Sequence, residues 1–496
     1  MSPISRIVIV GHGTAAFVSA LALSRALEGA GGYQIAVVET PSWGEDSACL
    51  APAEASLPPL RAFLALLGLT EGQVAGFAEA APYLGSLMAG WPTQGKGASA
   101  DFVLAQGETG AALNTVAFHH YLTWLRQRRR EAGFEAYNLA AQAARAGRFQ
   151  TPTQDSRSIL STYTYGLNLN AAAFAEGVKA MALARGVRII AAAGFAAELT
   201  DQGHIAALAL SDGGRIAGDL FIDATGTEAR LMRAALGAPL GPVAGLTAAG
   251  LVSVRVERPT ARPLNRCDEL PGGYLITLGL GAAQVLSLVY DPDQLDETAA
   301  VATLEAVPGA HSLSRRRFQQ GRLAQAWRGN CIAVGAAAGV LEPLGVSGLH
   351  GLQADLTRLI GLFPDRSFHA SLIGEYNRLT AEAFDRQRDF VLAAYGLSGR
   401  LEAALWPAEL ARKIEQFKSR GRVVMLDAET FNESQWINLF LGLGLAPERY
   451  DPMIDGLDAT QIEGRLRAIK ARIAETVAAM PPFRAAVPSS PAAVRA

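Results

Sequence analysis

Two glycine-centred stretches and a handful of acids supply the residue types that can hold a charged ligand. The first stretch is Gly11-His12-Gly13-Thr14-Ala15-Ala16, entered from the β-branched run Ile7 to Val10. It opens an amphipathic segment, Thr14 to Leu27, and a second apolar run, Ile35 to Val38, ends on Glu39. Glycines at 11 and 13 permit a tight turn and close backbone approach, and the pattern allows alanine at its third position, here Ala16. A helix starting there turns free N–H groups toward a pyrophosphate. A carboxylate ending the second strand accepts hydrogen bonds from ribose hydroxyls. The spacing predicts a dinucleotide site. The plainer alternative is a βαβ unit with a glycine turn, a loop histidine (His12) and a surface Glu39. The second stretch is the strand Cys331 to Val334, then Gly335, Gly339, Pro343 and a helix start at Gly348. Backbone N–H groups can approach a ligand there too. Between them, Leu220 to Ile222 runs into Asp223-Ala224-Thr225-Gly226, which also fits a plain strand-to-turn signal.

Other reactive residues carry less. His119-His120 and His350 have no carboxylate or cysteine at ligand spacing, so no metal site is expected. Cys49, Cys267 and Cys331 lie too far apart to form a cluster. Tyr163 and Tyr165 sit on a polar strand and read as sheet packing before substrate contact. Arg126, Arg128, Arg129 and Arg130 read as a solvated helix face. No Gly-x-Ser-x-Gly or Ser-His-Asp signal is present.

These residues must be positioned by a large α/β framework. The 496-residue chain is half apolar and carries a net charge of −2, which favours a compact enzyme and excludes a general polyanion binder. The longest uncharged run, Ala234 to Val254, is broken by glycine and proline, so no membrane span is expected. The first strand begins almost at once with no apolar leader, and the cysteine count is odd. Both point to a cytoplasmic location. Helices are expected at 61–69, 119–148, 171–185 and 348–362, a second sheet over 251–290, and mostly helix from Phe368 onward. Residues 481–496 read as a frayed tail.

In combination these motifs resemble a known family. Asp223-Ala224-Thr225-Gly226 is similar to the segment closing the middle β-region of FAD-dependent monooxygenases. The 331–348 stretch is similar to the return to the flavin in glutathione-reductase-type FAD folds. The whole chain resembles the flavin-dependent tryptophan halogenases, especially a branch of tryptophan-halogenase-like proteins. Arg6 to Ala16 resembles their nucleotide motif, and Ala53-Glu54-Ala55-Ser56-Leu57-Pro58 their Gly-Glu-Ala-Thr-x-Pro loop. Leu84-Gly85 through Trp91 resembles the strand that follows. Gly335 to His350 resembles their Glu-Pro-Leu-Glu-Ser-Thr segment. Lys413 to Arg422, Trp436 and Gly442-Leu443-Gly444 resemble their C-terminal helices.

The resemblance implies an α/β protein: a Rossmann-like FAD-binding fold with an interleaved β-rich substrate domain and a C-terminal helical region. It divides the chain into FAD-binding parts at 1–90, 161–235 and 326–365, a helical insertion at 91–160 and a β-rich substrate region at 236–325. A helical region at 366–480 and a disordered tail at 481–496 follow. It implies FAD contacts at Gly11, Gly13, Thr14, Ala15, Ala16, Glu39, Glu54, Ala55, Phe195, Asp223, Gly226, Ala336, Gly339 and Leu349. Ser347 and Gly348 are the halide position, and Glu342 is either a local acid or a helix-entry cap. It also implies a separate flavin reductase, a small-molecule or peptide aromatic substrate, no nucleic-acid partner and a homodimer.

In that family reduced FAD reacts with oxygen, halide attacks the peroxyflavin, and hypohalous acid reaches a lysine assisted by a glutamate. Here the lysine position is Tyr83 and the glutamate position is Gly345, followed by Val346-Ser347. The family's Trp-x-Trp-x-Ile-Pro motif falls on Tyr274-Leu275-Ile276-Thr277-Leu278-Gly279 and is absent. A phenol donates a hydrogen bond but forms no haloamine. The expectation is therefore an FAD-dependent monooxygenase-like oxidoreductase acting on an aromatic or indolic group. The alternatives are a halogenase with a rebuilt relay or a non-catalytic flavin-binding scaffold.

Overall fold

The structure is a computed structural model that describes residues 3–29, 31–40, 48–92, 99–111, 115–128 and 133–485. The turn-prone stretch Pro41 to Ser47, Arg129 and Arg130 of the arginine run, and residues 486–496 of the tail lie outside the described residues.

The β-branched runs form the strands of a six-stranded sheet, in the order Trp327–Arg328, Cys331–Ala333, Leu220–Ala224, Arg6–Gly11, Gln34–Glu39 and Arg188–Ala191. All neighbours are parallel except the short first pair. Parallel strands buried on both faces need continuous apolar sequence, and Ile7, Ile9, Val10, Val37, Phe221 and Ile332 are fully buried. The register sets Gly11 beside Ala224, Asp223 beside Ala333 and Glu39 beside Ala191. The glycine turn, the acid, the Asp-Ala-Thr-Gly turn and the second glycine stretch thus leave the sheet at one carboxyl edge, where ligands of open α/β sheets bind.

A seven-stranded sheet forms the second layer, in the order Ala310–Arg317, Gly250–Val256, Ala283–Tyr290, Gly273–Leu280, Asn265–Leu270, Gly85–Pro92 and Ser99–Ala105. Its last two strands come from the N-terminal third of the chain, so the boundary expected at residue 90 cuts through this sheet. The insertion at 91–160 is strand before it is helix. The hairpin joins because its alternating apolar residues complete one face of the substrate sheet, with Trp91 wholly buried and its indole N–H donating to Cys267 O at 3.2 Å. A three-stranded sheet (Ala53–Ala55, Gly166–Asn170, Ala81–Tyr83) links the two layers.

Four longer helices, Ala370–Leu397, Ala408–Arg420, Glu433–Gly442 and Ala459–Ala479, complete the C-terminal part. The start of the expected tail is packed rather than frayed. Phe483 is buried, its N–H donates to Gly147 O at 2.8 Å, and Pro482 bridges Arg148. An apolar ring and paired backbone outweigh the proline-rich composition there. No described helix is long and apolar enough to cross a membrane.

Candidate functional site

At the carboxyl edge, Gly11 has φ +151°, and a Cβ on it would lie 2.1 Å from Ala224 O. Glycine is therefore demanded by the neighbouring strand as well as by any ligand. Gly13, at φ +67°, starts the Gly13–Ala26 helix. Ala15 and Ala16 are fully buried, and the Thr14 hydroxyl donates to Ala171 O at 3.3 Å. Glu39 is no surface acid: it is 6 % exposed, with Lys179 Nζ at 2.8 and 2.9 Å from its two oxygens. His12 is more than a loop residue, since its Nδ1 lies 3.2 Å from Glu39 Oε1.

Asp223 turns back on its own turn, accepting from Thr225 N, Thr225 Oγ1 and Met232 N at 3.1, 2.6 and 2.8 Å. Burial pushes its carboxyl up against those bonds. Gly226 follows at φ +71°. Ala336 is half-buried, as is Phe195, which starts the Phe195–Leu199 strand outside the six-stranded sheet. Gly339 faces another way: a Cβ there would meet Phe384 at 2.8 Å, in a cleft against the Ala370–Leu397 helix.

Glu54, on the 53–58 loop, reaches the N-terminus of the Gly348–Gly361 helix. Ser347 Oγ donates to Glu54 Oε1 at 2.6 Å and Leu349 N donates to it at 3.3 Å. A Cβ on Gly348 would sit 2.2 Å from Ala48 O. The proposed halide position thus lies between a carboxylate and a carbonyl, both of which disfavour an anion. Ser347 caps this helix by accepting from His350 N, so Glu342 is not its cap. Glu342 is wholly buried, accepting from Tyr395 OH at 2.7 Å and Gln320 Nε2 at 3.2 Å. Burial raises its carboxyl.

Tyr83 and Gly345 line one cavity, with Ala55, Gln106, Asn265, Arg266, Cys267, Phe431 and Gln435 among its other walls. Its free volume is about 50 Å³. The Tyr83 hydroxyl donates to Ser56 O at 3.0 Å, and Gln106 Nε2 lies 3.5 Å from it. Gln106 accepts in turn from Gln435 Nε2 at 3.1 Å. Burial, then the Glu54 charge, raises the phenol well above its ordinary range, so Tyr83 is a neutral donor. The ring lies across Gly166, where a Cβ would meet Tyr83 Cε1 at 2.4 Å. Gly345 has φ +74°, and a Cβ there would lie 3.3 Å from Phe390.

Arg266, tied to Asp268, is the one charged side chain on the described walls. The sequence holds five lysines: Lys96, Lys179, Lys413, Lys418 and Lys470. Lys96 lies outside the described residues, and none of the other four lines the cavity. Lys179 pairs with Glu39 and Lys413 with Glu429, while Lys418 and Lys470 are exposed.

The remaining candidates are structural. Among the described residues no group of histidine, cysteine and carboxylate can hold a metal. His119 Nε2 lies 2.5 Å from Gly421 O. Tyr165 OH donates to Glu71 at 2.6 Å beneath Arg61, and Tyr163 OH donates to Gln150 O. Arg128 is exposed and stacks over Trp124 at 4.0 Å, whereas Arg126 is half-buried. Lys179, Gln106 and Gln435 escaped the sequence reading. Each meets its partner across a long separation, and a lone lysine in an alanine-rich helix was the only local signal.

The sequence profile of the tryptophan halogenase family matches residues 6–459. Tryptophan 7-halogenase KtzQ of Kutzneria sp. (strain 744) is 25 % identical over 97 % of both chains. Tryptophan 6-halogenase SttH of Streptomyces toxytricini is 26 % identical, in a match spanning 64 % of this chain and 65 % of that one. Among solved structures, BrvH, a flavin-dependent halogenase from Brevundimonas sp. BAL3, superposes with a TM-score of 0.88 at 32 % identity, covering 97 % of each chain. Xcc4156, a flavin-dependent halogenase from Xanthomonas campestris, gives 0.88 at 28 % identity with the same coverage.

Proposed function

The chain belongs to the tryptophan halogenase family, and from that premise we propose a flavin-dependent oxidoreductase that oxygenates a neutral aromatic or indolic substrate. Its cofactor is FAD, reduced by a separate flavin reductase. The residues at the carboxyl edge fit that group: Gly11 and Gly13 open the turn, Glu39 stands at the ribose position, and the Gly13–Ala26 helix presents its N-terminus. When bound and reduced, FAD supplies the activation of oxygen.

One observation carries the reading. The cavity that holds the relay positions offers a neutral phenol at Tyr83 and no side chain at Gly345, and no lysine or carboxylate stands on its described walls. Trapping or polarising hypohalous acid as the family does needs an amine with an acid beside it, and insertion of oxygen needs neither. The Gln106 amide oxygen, which accepts from Gln435 Nε2, keeps a second lone pair for a ring N–H, while Met88, Leu104, Ile276 and Leu278 exclude water. With no acid to meet an ammonium, the lining suits indole better than free tryptophan.

The test is product analysis by mass spectrometry, using the full chain, FAD, a flavin reductase and either indole or tryptophan, with and without bromide. Oxygenated indole formed equally with and without bromide supports the reading. Brominated product overturns it in favour of a rebuilt relay. The cavity's volume favours a second reading, a flavin-binding scaffold: about 50 Å³ holds a few waters and no indole ring. FAD binding with neither product supports that one.

A further inference from the structure

We infer that Lys179 is a positioning residue for the nucleotide end of the flavin cleft, holding Glu39 for the adenosine ribose; the inference rests on FAD being the cofactor. Glu39 ends the Gln34–Glu39 strand, and its carbonyl is fixed by Ala192 N at 2.8 Å. Its carboxylate is buried and meets two groups from elsewhere in the chain, Lys179 Nζ and His12 Nδ1. Lys179 projects from the Ala171–Ala184 helix, with Nζ 4.9 Å from the centroid of Phe17 on the Gly13–Ala26 helix.

Two effects follow from this geometry. The ammonium holds both carboxylate oxygens, at 2.8 and 2.9 Å, which fixes the plane of the group. Lys179 takes one lone pair on each oxygen and His12 faces the second on Oε1, which leaves a lone pair on Oε2 for a ribose hydroxyl. The second effect is charge. A buried carboxylate next to a pyrophosphate dianion repels it, and that repulsion is strong in a low-dielectric setting. Lys179 supplies the opposite charge at the acid itself and leaves the helix N-terminus free to serve the phosphates. A lysine that merely tied the helix to the sheet would act on the fold and not on the ligand.

The full chain is titrated with FAD and with FMN, which lacks the adenosine ribose, by quenching of flavin fluorescence. Wild type, K179M and K179R are compared, and the melting midpoint of each ligand-free protein is recorded. The expected result is an FAD affinity at least about tenfold weaker in K179M, largely restored in K179R, with FMN binding alike in wild type and K179M. FAD affinity unchanged in K179M, with or without a lower melting midpoint, overturns the positioning role. An equal loss toward FAD and FMN overturns it as well, because the effect is then not at the ribose. If wild type binds no FAD, the functional reading falls and takes this inference with it.

Discussion

Gly345 is the residue at which chemistry and backbone meet most directly. Its φ of +74° lies in the left-handed region, where a side chain costs about 1–3 kcal/mol, and Phe390 stands 3.3 Å from the Cβ position. Gly345→Glu is therefore expected to lower stability by about that amount, read by denaturant unfolding, without producing halogenated indole. Tyr83→Phe removes the donor to Ser56 O and leaves that buried carbonyl unsatisfied, a loss of about 1–3 kcal/mol by the same measurement. Both positions were legible in the sequence because they stand inside quotable motifs. The groups around them were not. Gln435 reaches Gln106 from 329 residues away and Lys179 reaches Glu39 from 140, and no local pattern encodes such meetings. Glu39 itself was legible as the acid ending the second strand, but its burial beneath a lysine was not.

The helix Gly348–Gly361 shows how one element sets the character of its end. Its first N–H groups face the Glu54 carboxylate, a favourable partner for the positive end of a helix dipole. Glu54→Ala is expected to cost about 1–2 kcal/mol. It should also make the melting midpoint rise with added bromide, because the freed N–H groups then donate to an anion. The wild-type midpoint should respond less. A bromide response equal in both proteins would show that Glu54 does not guard this helix end. The sequence foretold the helix but offered Glu342 as its cap, a role that Ser347, directly before the helical run, takes instead. It placed the domain boundary at residue 90 wrongly for a physical reason. Gly85–Pro92 and Ser99–Ala105 carry strand-like sequence, but which sheet a strand joins depends on apolar faces supplied by residues 265–290.

Across the molecule, acid sensitivity follows from histidines lowered by burial, chiefly His119 and His350, and from one clamp. Burial lowers His119 to about 4, with His120 beside it adding to the shift, and burial with Arg358 nearby lowers His350 to about 4. Both rings are neutral when folded and titrate near 6.5 when unfolded. The unfolded chain therefore binds more protons in between, and the stability present above pH 6.5 is lost as pH falls toward 4. The loss is on the order of 3 kcal/mol per ring, and urea midpoints measured across that range check it. At lower pH the Asp219 clamp opens. Burial opposes its ionisation, but donors from Ser5 and Arg6 outweigh that and hold its carboxyl well below the usual range. Arg366 adds a contact at 2.9 Å. This contribution is complete above the unfolded value near 3.9 and disappears as pH drops through the folded one. Tyr83 and Gly166 face each other across paired strands, with the phenol ring lying where any Cβ at 166 would stand. A Cβ at 166 would also meet Ser56 O at 2.2 Å, so taking away the ring does not free that position. In a lineage under selection Gly166 is therefore the fixed member of the pair, and a smaller residue at 83 opens a ring-sized void that 166 cannot grow to fill. Directed evolution of the pocket should recover changes at 83 while 166 stays glycine.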